Sequence, residues 1–570
     1  MKTYRPEYPN PQFEREDFIN LNGEWEFEID NSESAVERGI YDRPLESKIN
    51  VPFCPESELS GIGNKDFMKV VFYRKTVNIS KSKLKNKRVF IHFGACDFET
   101  EVRVNKQSVG KHVGGYVSFA FDITKYVKEG ENVIEVRAYD DTRSFRQGSG
   151  KQSTGYFSRG CNYTRTTGIW QTVWLEFTPE NYIKAVRIYP NVNDCSATLI
   201  FDLCGKAKLS AKAFYGGKEV GASEQSSAEY SSTLKINLSE KHLWELSHGR
   251  LYDLELTFGS DKVKSYFGLR SVSLDDTFKL NGKTVFQRLV LDQGFYPEGI
   301  YTAKDEEQLK LDIVLSMNAG FNGARLHEKV FEPRFLYNCD KLGYMVWGEW
   351  PNWGLGHHNA ECLETFLPEW LEVMARDFNH PSIIGWCPFN ETWNQAPTYA
   401  IQRSDVLKIA YMATKAFDIT RPCIDVSGNY HVITDIYDIH DYEQDVAVYK
   451  ERYAKLNDDG VLYDKYDSRQ HWKGEPLFVS EYGGIGLHIE AKTDEQWCYG
   501  NAAKSYEEFY ERYDGLTSSL MNCGKLIGFC YTQLYDVEQE QNGLYTYARE
   551  PKVDISKIKE INTRKAAIEK

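Results

Sequence analysis

The sequence is short of positive charge: 69 Lys and Arg stand against 83 Asp and Glu, a formal net of −14 over 570 residues. A phosphate backbone needs a clustered basic surface, so nucleic acid is excluded as the main partner. No stretch approaches the roughly 18–20 apolar residues that cross a bilayer, so no membrane span is expected. Residues 1–7 have no apolar run behind them. No secretory leader is therefore expected, and the expected location is the cytoplasm. The twelve cysteines form no Cys-x-x-Cys pair, which points to reduced, structural thiols. His357 and His358 are adjacent in sequence, and adjacent side chains do not converge on one ion. The stretch Gly148-Ser149-Gly150-Lys151-Gln152 only superficially resembles a phosphate loop. It lacks the earlier glycine, and Gln follows the lysine where Ser or Thr is needed. No metal and no cofactor are expected.

What is present is an ordinary globular composition, 41% hydrophobic and 27% charged. At roughly 150 residues per domain the length allows about four units, or fewer if one is a large barrel. Residues 1–180 read as short strands. Thr100-Glu101-Val102-Arg103-Val104-Asn105 alternates polar and apolar, as a half-buried strand must. Turn residues such as Gly114-Gly115 and Glu129-Gly130-Glu131-Asn132 punctuate the run, which predicts an antiparallel sandwich. Residues 143–168 are rich in Gly and Ser and aperiodic. A loop that long inside a compact domain is often functional. Residues 181–272 continue the alternation over a span that suits an immunoglobulin-like sandwich, and they carry no catalytic candidate.

From 273 to 570 the pattern changes. Eight short apolar strands, at 286–291, 323–326, 344–347, 383–387, 423–427, 436–440, 477–480 and 526–532, alternate with amphipathic helices. Three helical faces are legible: Leu309, Ile313 and Met317; Val406, Ile409, Ala410 and Ala413; and Tyr506, Phe509, Tyr510 and Tyr513. This alternation predicts a (β/α)8 TIM barrel, whose chemistry sits at the C-terminal ends of the strands. Those ends carry Arg325 and His327, Glu349 and Trp350, Asn390 and Glu391, His440 and Tyr442, Glu481, and Tyr531. Two carboxylates across one barrel mouth are what retaining glycoside hydrolysis requires, one as nucleophile and one as acid/base. Trp and Tyr rings match the C–H faces of sugars while their N–H and O–H groups meet hydroxyls.

At this point the chain resembles glycoside hydrolase family 2, the family of β-galactosidases, β-glucuronidases and β-mannosidases. Asn20-Leu21-Asn22-Gly23-Glu24-Trp25, Gly114-Gly115-Tyr116 and Thr164-Arg165-Thr166-Thr167-Gly168-Ile169-Trp170-Gln171 resemble its jelly-roll sugar-binding domain. His380-Pro381-Ser382-Ile383-Ile384-Gly385-Trp386, leading to Asn390-Glu391, resembles its acid/base signature. Pro476-Leu477-Phe478-Val479-Ser480-Glu481-Tyr482-Gly483 resembles its nucleophile segment. The resemblance implies Glu391 as acid/base, Glu481 as nucleophile and Asn390 as the partner of the sugar 2-hydroxyl. Arg325 and His327 would line the subsite of the cleaved sugar, although Leu326 separates them where the family often shows a Ser-His step. Tyr531 stands where the family often carries a Trp sugar platform. A homo-oligomer, dimer or tetramer, is also implied.

Other roles stay open. Glu349 either contacts sugar or pairs with Arg325. His440 and Tyr442 either face the mouth or pack, and Tyr442 could donate to the nucleophile and hold it ionised. Trp350 is a candidate subsite wall. The acidic run at Asp536, Glu538 and Glu540 reads as a solvated loop. No Asn-x-Lys triplet, the family's grip on a sugar carboxylate, lies near the eighth strand. A neutral sugar is therefore expected, β-galactoside first. β-Glucuronide is the alternative, with Arg549 or Lys552 as the basic group; β-mannoside and α-L-arabinoside follow. A non-catalytic carbohydrate-binding protein is the reading from a different class, and the presence of both Glu391 and Glu481 opposes it.

Overall fold

The computed structural model describes residues 4–393, 401–488 and 496–570. It opens with a jelly roll of two antiparallel sheets. Four strands, in the order Phe18–Asn20, Val173–Thr178, Arg88–Phe93, Phe119–Asp122, face six. The central pairs of the larger sheet are Val70–Ile79, Gly130–Tyr139 and Glu99–Val104, with Val136 opposite both Tyr73 and Val102. The alternation read at 100–105 is a strand whose apolar members all turn inward. Between the sheets lie Trp25, Phe27, Tyr73, Ile91, Phe93, Leu175 and Phe177. No helix or strand of three residues or more lies between Tyr139 and Gly168, so the expected loop is present.

The second unit is built around a long hairpin, Ser196–Tyr215 against Lys218–Asn237, flanked by Tyr182–Asn191, Tyr252–Phe258 and Asp261–Phe267. Its register breaks between Asp202 and Lys206. Such a break bends a strand, and the sheet closes over its own core of Leu199, Phe201, Leu209, Leu256 and Phe258.

The third unit is the TIM barrel. Seven parallel strands run in the order Ile383–Cys387, Met345–Glu349, Gly323–Leu326, Gln287–Asp292, Leu526–Thr532, Leu477–Gly483, Tyr437–Asp441. Strands covered on both faces need apolar residues at nearly every position, and Ile383–Cys387 and Leu526–Thr532 are buried throughout. The expected strand at 423–427 is not a regular strand. Single parallel bridges tie Cys423 to Trp386 and Ser427 to Asn390 on one side. On the other side side chains replace the ladder, with the Ser427 hydroxyl and the Gly428 N–H donating to the buried Asp438 carboxylate at 2.7 and 3.1 Å. The helix Ser404–Phe417 buries Val406, Leu407, Ala410 and Thr414, while Ile409, expected on the inner face, turns outward. In Tyr506–Asn522, Phe509 and Tyr513 point in and Tyr506 is exposed. All twelve cysteines are free. Among the described residues no helix is long and apolar enough to cross a membrane.

Candidate active site

The strand ends bring Arg325, His327, Glu349, Asn390, Glu391, His440, Tyr442 and Glu481 into one network. Arg325, at the end of its strand, is 1% exposed. Its Nε donates to Glu349 Oε1 at 2.6 Å, its Nη1 to Glu481 Oε1 at 3.1 Å and to the Ser480 carbonyl at 2.7 Å, and its Nη2 to Asn390 Oδ1 at 3.2 Å. One guanidinium fork thus orders three strand ends, which suits Arg better than Lys. Both Glu349 oxygens are engaged inside the protein, one by Arg325 and the other by His327 and the Glu328 N–H. Glu349 is thus a buried charge paired with Arg325. Asn390 is clamped by Asn352, whose Oδ1 accepts from the Asn390 N–H at 2.6 Å, and among the described residues the Asn390 Nδ2 has no partner.

Glu391 follows in the left-handed region, φ 39°, where a residue with a Cβ is strained and is held only by its surroundings. Its N–H donates to the Ser427 carbonyl at 2.9 Å. His440 Nδ1 stands 2.8 Å from Glu391 Oε1 and 3.3 Å from Glu481 Oε2. The facing atoms of Glu391, His440 and Glu481 all lie within 4.8 Å of one another. Three such ligand atoms could also hold a metal ion. Tyr442 donates to Glu481 Oε2 at 2.6 Å and stacks on Tyr499 at 3.7 Å.

The electrostatics separate the two carboxylates' neighbours. Burial alone would raise the Glu481 carboxyl, but the charges of His440, Arg325 and Lys151 outweigh it and bring it down to about 2. His440 is raised because Glu481 and Glu391 overcome its own burial. Burial lowers His327 well below the usual imidazole range, which keeps it neutral. Burial and Glu481 raise the Tyr442 phenol far up, so it stays a donor.

Two expected members are elsewhere. Trp350 is packed between Phe366 and the loop at Gly148, with its indole N–H on Glu369. Tyr531 is fully buried between Tyr482 and Tyr513, its ring against Gly483. Each is large and apolar enough that the core outcompetes the mouth. The acidic run is not a solvated loop either. Glu540 is 1% exposed and accepts from Tyr163, and Asp536 pairs with Lys552 at 2.8 Å. Arg549 is bound to Asp312 through both carboxylate oxygens.

Sequence reasoning missed Lys151. The 143–168 loop does reach the mouth. Ser149 and Gly150 N–H groups both donate to the Trp353 carbonyl, at 2.6 and 3.1 Å. A Cβ on Gly150 would come within 2.3 Å of the Glu328 carbonyl, and its φ is +54°, so only glycine fits. The loop so pinned delivers Lys151, 4% exposed, with its Nζ 3.8 Å from the Trp353 ring centroid. Among the described residues no carboxylate or carbonyl bonds that Nζ, although Cys161 first, then Glu540, Glu481 and Glu328, keep it charged against its burial. The only signal in the sequence was the glycine spacing around a lysine.

Family models agree with this architecture. The sugar binding domain of glycosyl hydrolases family 2 matches residues 37–179, a second family 2 domain matches 181–270, and the family's TIM barrel domain matches 275–564. The chain belongs to glycoside hydrolase family 2. It is 27% identical over 344 residues to a beta-galactosidase of Thermoanaerobacter pseudethanolicus, covering 56% of this chain and 44% of that one. It is 24% identical over 547 residues to the beta-glucuronidase of Canis lupus familiaris, covering 84% and 80%. The chain spans 40, 44 and 60% of the length of three bacterial relatives it matches. In fold it is similar to a beta-glucuronidase of an uncultured Clostridium sp., with TM-score 0.80, 20% identity, and 96% and 98% of the two chains covered.

Proposed function

We propose that this chain is an exo-acting, retaining β-glycoside hydrolase. The observation that carries the reading is the pair Glu391 and Glu481, facing each other across His440 within 4.8 Å. That is near the ~5–5.5 Å at which one carboxylate attacks the anomeric carbon directly, leaving no room for an inverting water. Glu481, held ionised, attacks the anomeric carbon. Glu391 gives its proton to the departing oxygen, and a glycosyl ester on Glu481 forms. Glu391 then takes a proton from water, the water oxygen attacks the same carbon, and the ester bond breaks with net retention. Arg325 and Tyr442 hold the nucleophile in line and stabilise its charge. The Asn390 Nδ2, which no described residue bonds, supports its role at the sugar 2-hydroxyl.

A neutral sugar, β-galactoside first, is our reading of the glycone. Arg549 and Lys552, the basic groups that could take a sugar carboxylate, are both occupied by aspartates. The mouth already holds Glu481, which is kept ionised. Another carboxylate beside it would meet repulsion. The β-glucuronide is the second reading. It is favoured by the relatives that bear that name and by the Lys151 ammonium, which no described group bonds. Nitrophenyl β-D-galactoside and β-D-glucuronide, assayed side by side with wild type and Glu481→Ala, decide it. Activity lost in the variant supports the mechanism, and faster turnover of the glucuronide overturns the neutral glycone. A dimer or tetramer and a carbohydrate partner belong to the same proposal; light scattering tests the first.

A further inference from the structure

The 143–168 loop is fastened at its base by four carboxyls, Glu56, Asp97, Asp140 and Glu369, none of them more than 6% exposed. Asp140 ties both ends of the loop. Gln147 Nε2 donates to its Oδ1 at 2.8 Å, and Thr167 Oγ1 donates to its Oδ2 at 3.2 Å. The Thr167 N–H donates to Glu56 Oε2 at 3.2 Å. Asp97 takes the middle, accepting at 3.2 Å from Nε2 of Gln152, the residue after Lys151. Glu369, on the barrel helix Leu363–Asp377, accepts from the Tyr116 N–H at 2.7 Å and from the Trp350 indole at 3.1 Å. The Tyr116 hydroxyl donates to the Gly148 carbonyl at 3.2 Å and accepts from Gln152 Nε2 at 3.0 Å. The Gly114-Gly115 turn runs between two of the acids, and a Cβ on Gly115 would come within 2.4 Å of Asp97 Oδ1.

Every one of those donors is uncharged, and among the described residues none of the four carboxyls forms an ion pair. Asp97 Oδ1 and Glu56 Oε1 accept from no described residue. A carboxylate buried without a counter-charge is unstable, whereas the neutral acid needs none. The charges that face the cluster do not supply one. Arg165 directs its Nη donors to the carbonyls of Ser153, Gly155 and Lys65. Asp141 adds repulsion beside Asp140. His112, bonded to Glu372, acts on Glu369 in the opposite direction to that glutamate. Cys54, Cys96, Tyr73, Tyr116 and Tyr301 are thiols and phenols that burial keeps neutral. Burial accordingly raises Asp140 and Glu369 to about 7 and Glu56 to about 8. Burial, and then the Asp140 charge, raise Asp97 well above the carboxylate range.

We propose that these four carboxyls form a proton-operated fastening: neutral, they hold the 143–168 loop across the barrel mouth, and on losing their protons to solvent they release it. Each acid keeps its proton more tightly in the closed loop than in water. Closure is therefore complete below about pH 4, the ordinary carboxylate value, and is lost as pH rises through 7–8. The loop carries Lys151, so the fully walled mouth and the protonated cluster go together. The device does not depend on the glycosidase reading. The test is amide hydrogen exchange of peptides from 143–168 at pH 5, 6, 7 and 8, corrected for the chemical exchange rate. Wild type is compared with Asp140→Asn and Asp97→Asn, which keep an acceptor oxygen and cannot ionise. In wild type, protection of the loop falls about tenfold per pH unit for each proton that leaves on opening, up to pH 7. The barrel strand Leu526–Thr532 keeps its protection. Each variant makes the fall shallower, by up to about tenfold per pH unit. A merely structural role shifts protection equally at every pH and leaves the slope alone. Gln147→Leu, which removes a donor and leaves the acids, lowers protection already at pH 5. Wild-type protection that stays level from pH 5 to 8, the same slope in all three proteins, or an unmoved Gln147→Leu overturns the proposal.

Discussion

Removing the Tyr442 hydroxyl isolates one of the interactions that favour the charged nucleophile. The hydroxyl donates to Glu481 Oε2 at 2.6 Å and touches Thr532 Oγ1 at 3.0 Å. Phe keeps the ring stacked on Tyr499, so Tyr442→Phe deletes the bond to Glu481 and the weaker one to Thr532 with little repacking. A hydrogen bond to a charged group contributes about 1.5–3 kcal/mol. At 1.36 kcal/mol per pKa unit that is roughly one to two units. Glu481 should rise from about 2 to roughly 3–4. Its folded value lies below the unfolded carboxylate value of about 4.3, so its contribution to stability is complete above that pH and vanishes as pH falls toward 2. The variant therefore loses about 1.5–3 kcal/mol at neutral pH and progressively less in acid. The assays are the pH profile of kcat/KM and urea unfolding at two pH values. The acid limb should move up by one to two units. An acid limb that stays put or moves down refutes the assignment of this bond.

Further consequences follow from the same network. Arg325→Met removes the buried guanidinium bonded to both Glu349 and Glu481, so it should cost about 3–5 kcal/mol in chemical denaturation; a loss under about 1 kcal/mol would contradict the geometry. Lys151→Met removes a positive charge that helps hold Glu481 ionised, so the acid limb of kcat/KM should move up and kcat/KM should fall roughly tenfold at neutral pH, the weight of one charged contact; an unmoved acid limb would contradict that role. Zinc should inhibit by occupying Glu391, His440 and Glu481, and EDTA alone should leave turnover intact. Turnover that EDTA abolishes and metal restores would overturn the metal-free mechanism.

How much of this was legible in the chain depended on where the information was local. Glu481 sits inside an apolar strand segment and Glu391 just past the end of another, each with distinctive flanks, so both were readable. Arg325, Glu349, His440 and Tyr442 were readable as strand-end residues, but their partners were not, because register between strands sets them. The irregular 423–427 segment reads as a strand, since its apolar residues still face the core, while the ladder is lost to Asp438, eleven residues downstream of Ser427. Trp350 and Tyr531 show the limit of residue type, since an aromatic ring at a strand end serves core and mouth equally well. Lys151 and Glu540 were hidden because loops that meet only in three dimensions place them.

The central claim is that Glu481 forms a covalent bond with the sugar and Glu391 moves the protons. Azide added to each alanine variant with an activated glycoside tests it directly, read as the anomeric configuration of the glycosyl azide by NMR. Glu481→Ala should give the inverted α-azide, because azide then attacks from the nucleophile's side. Glu391→Ala should give the β-azide, because azide intercepts the glycosyl ester. The same anomer from both variants would contradict the assignment of roles.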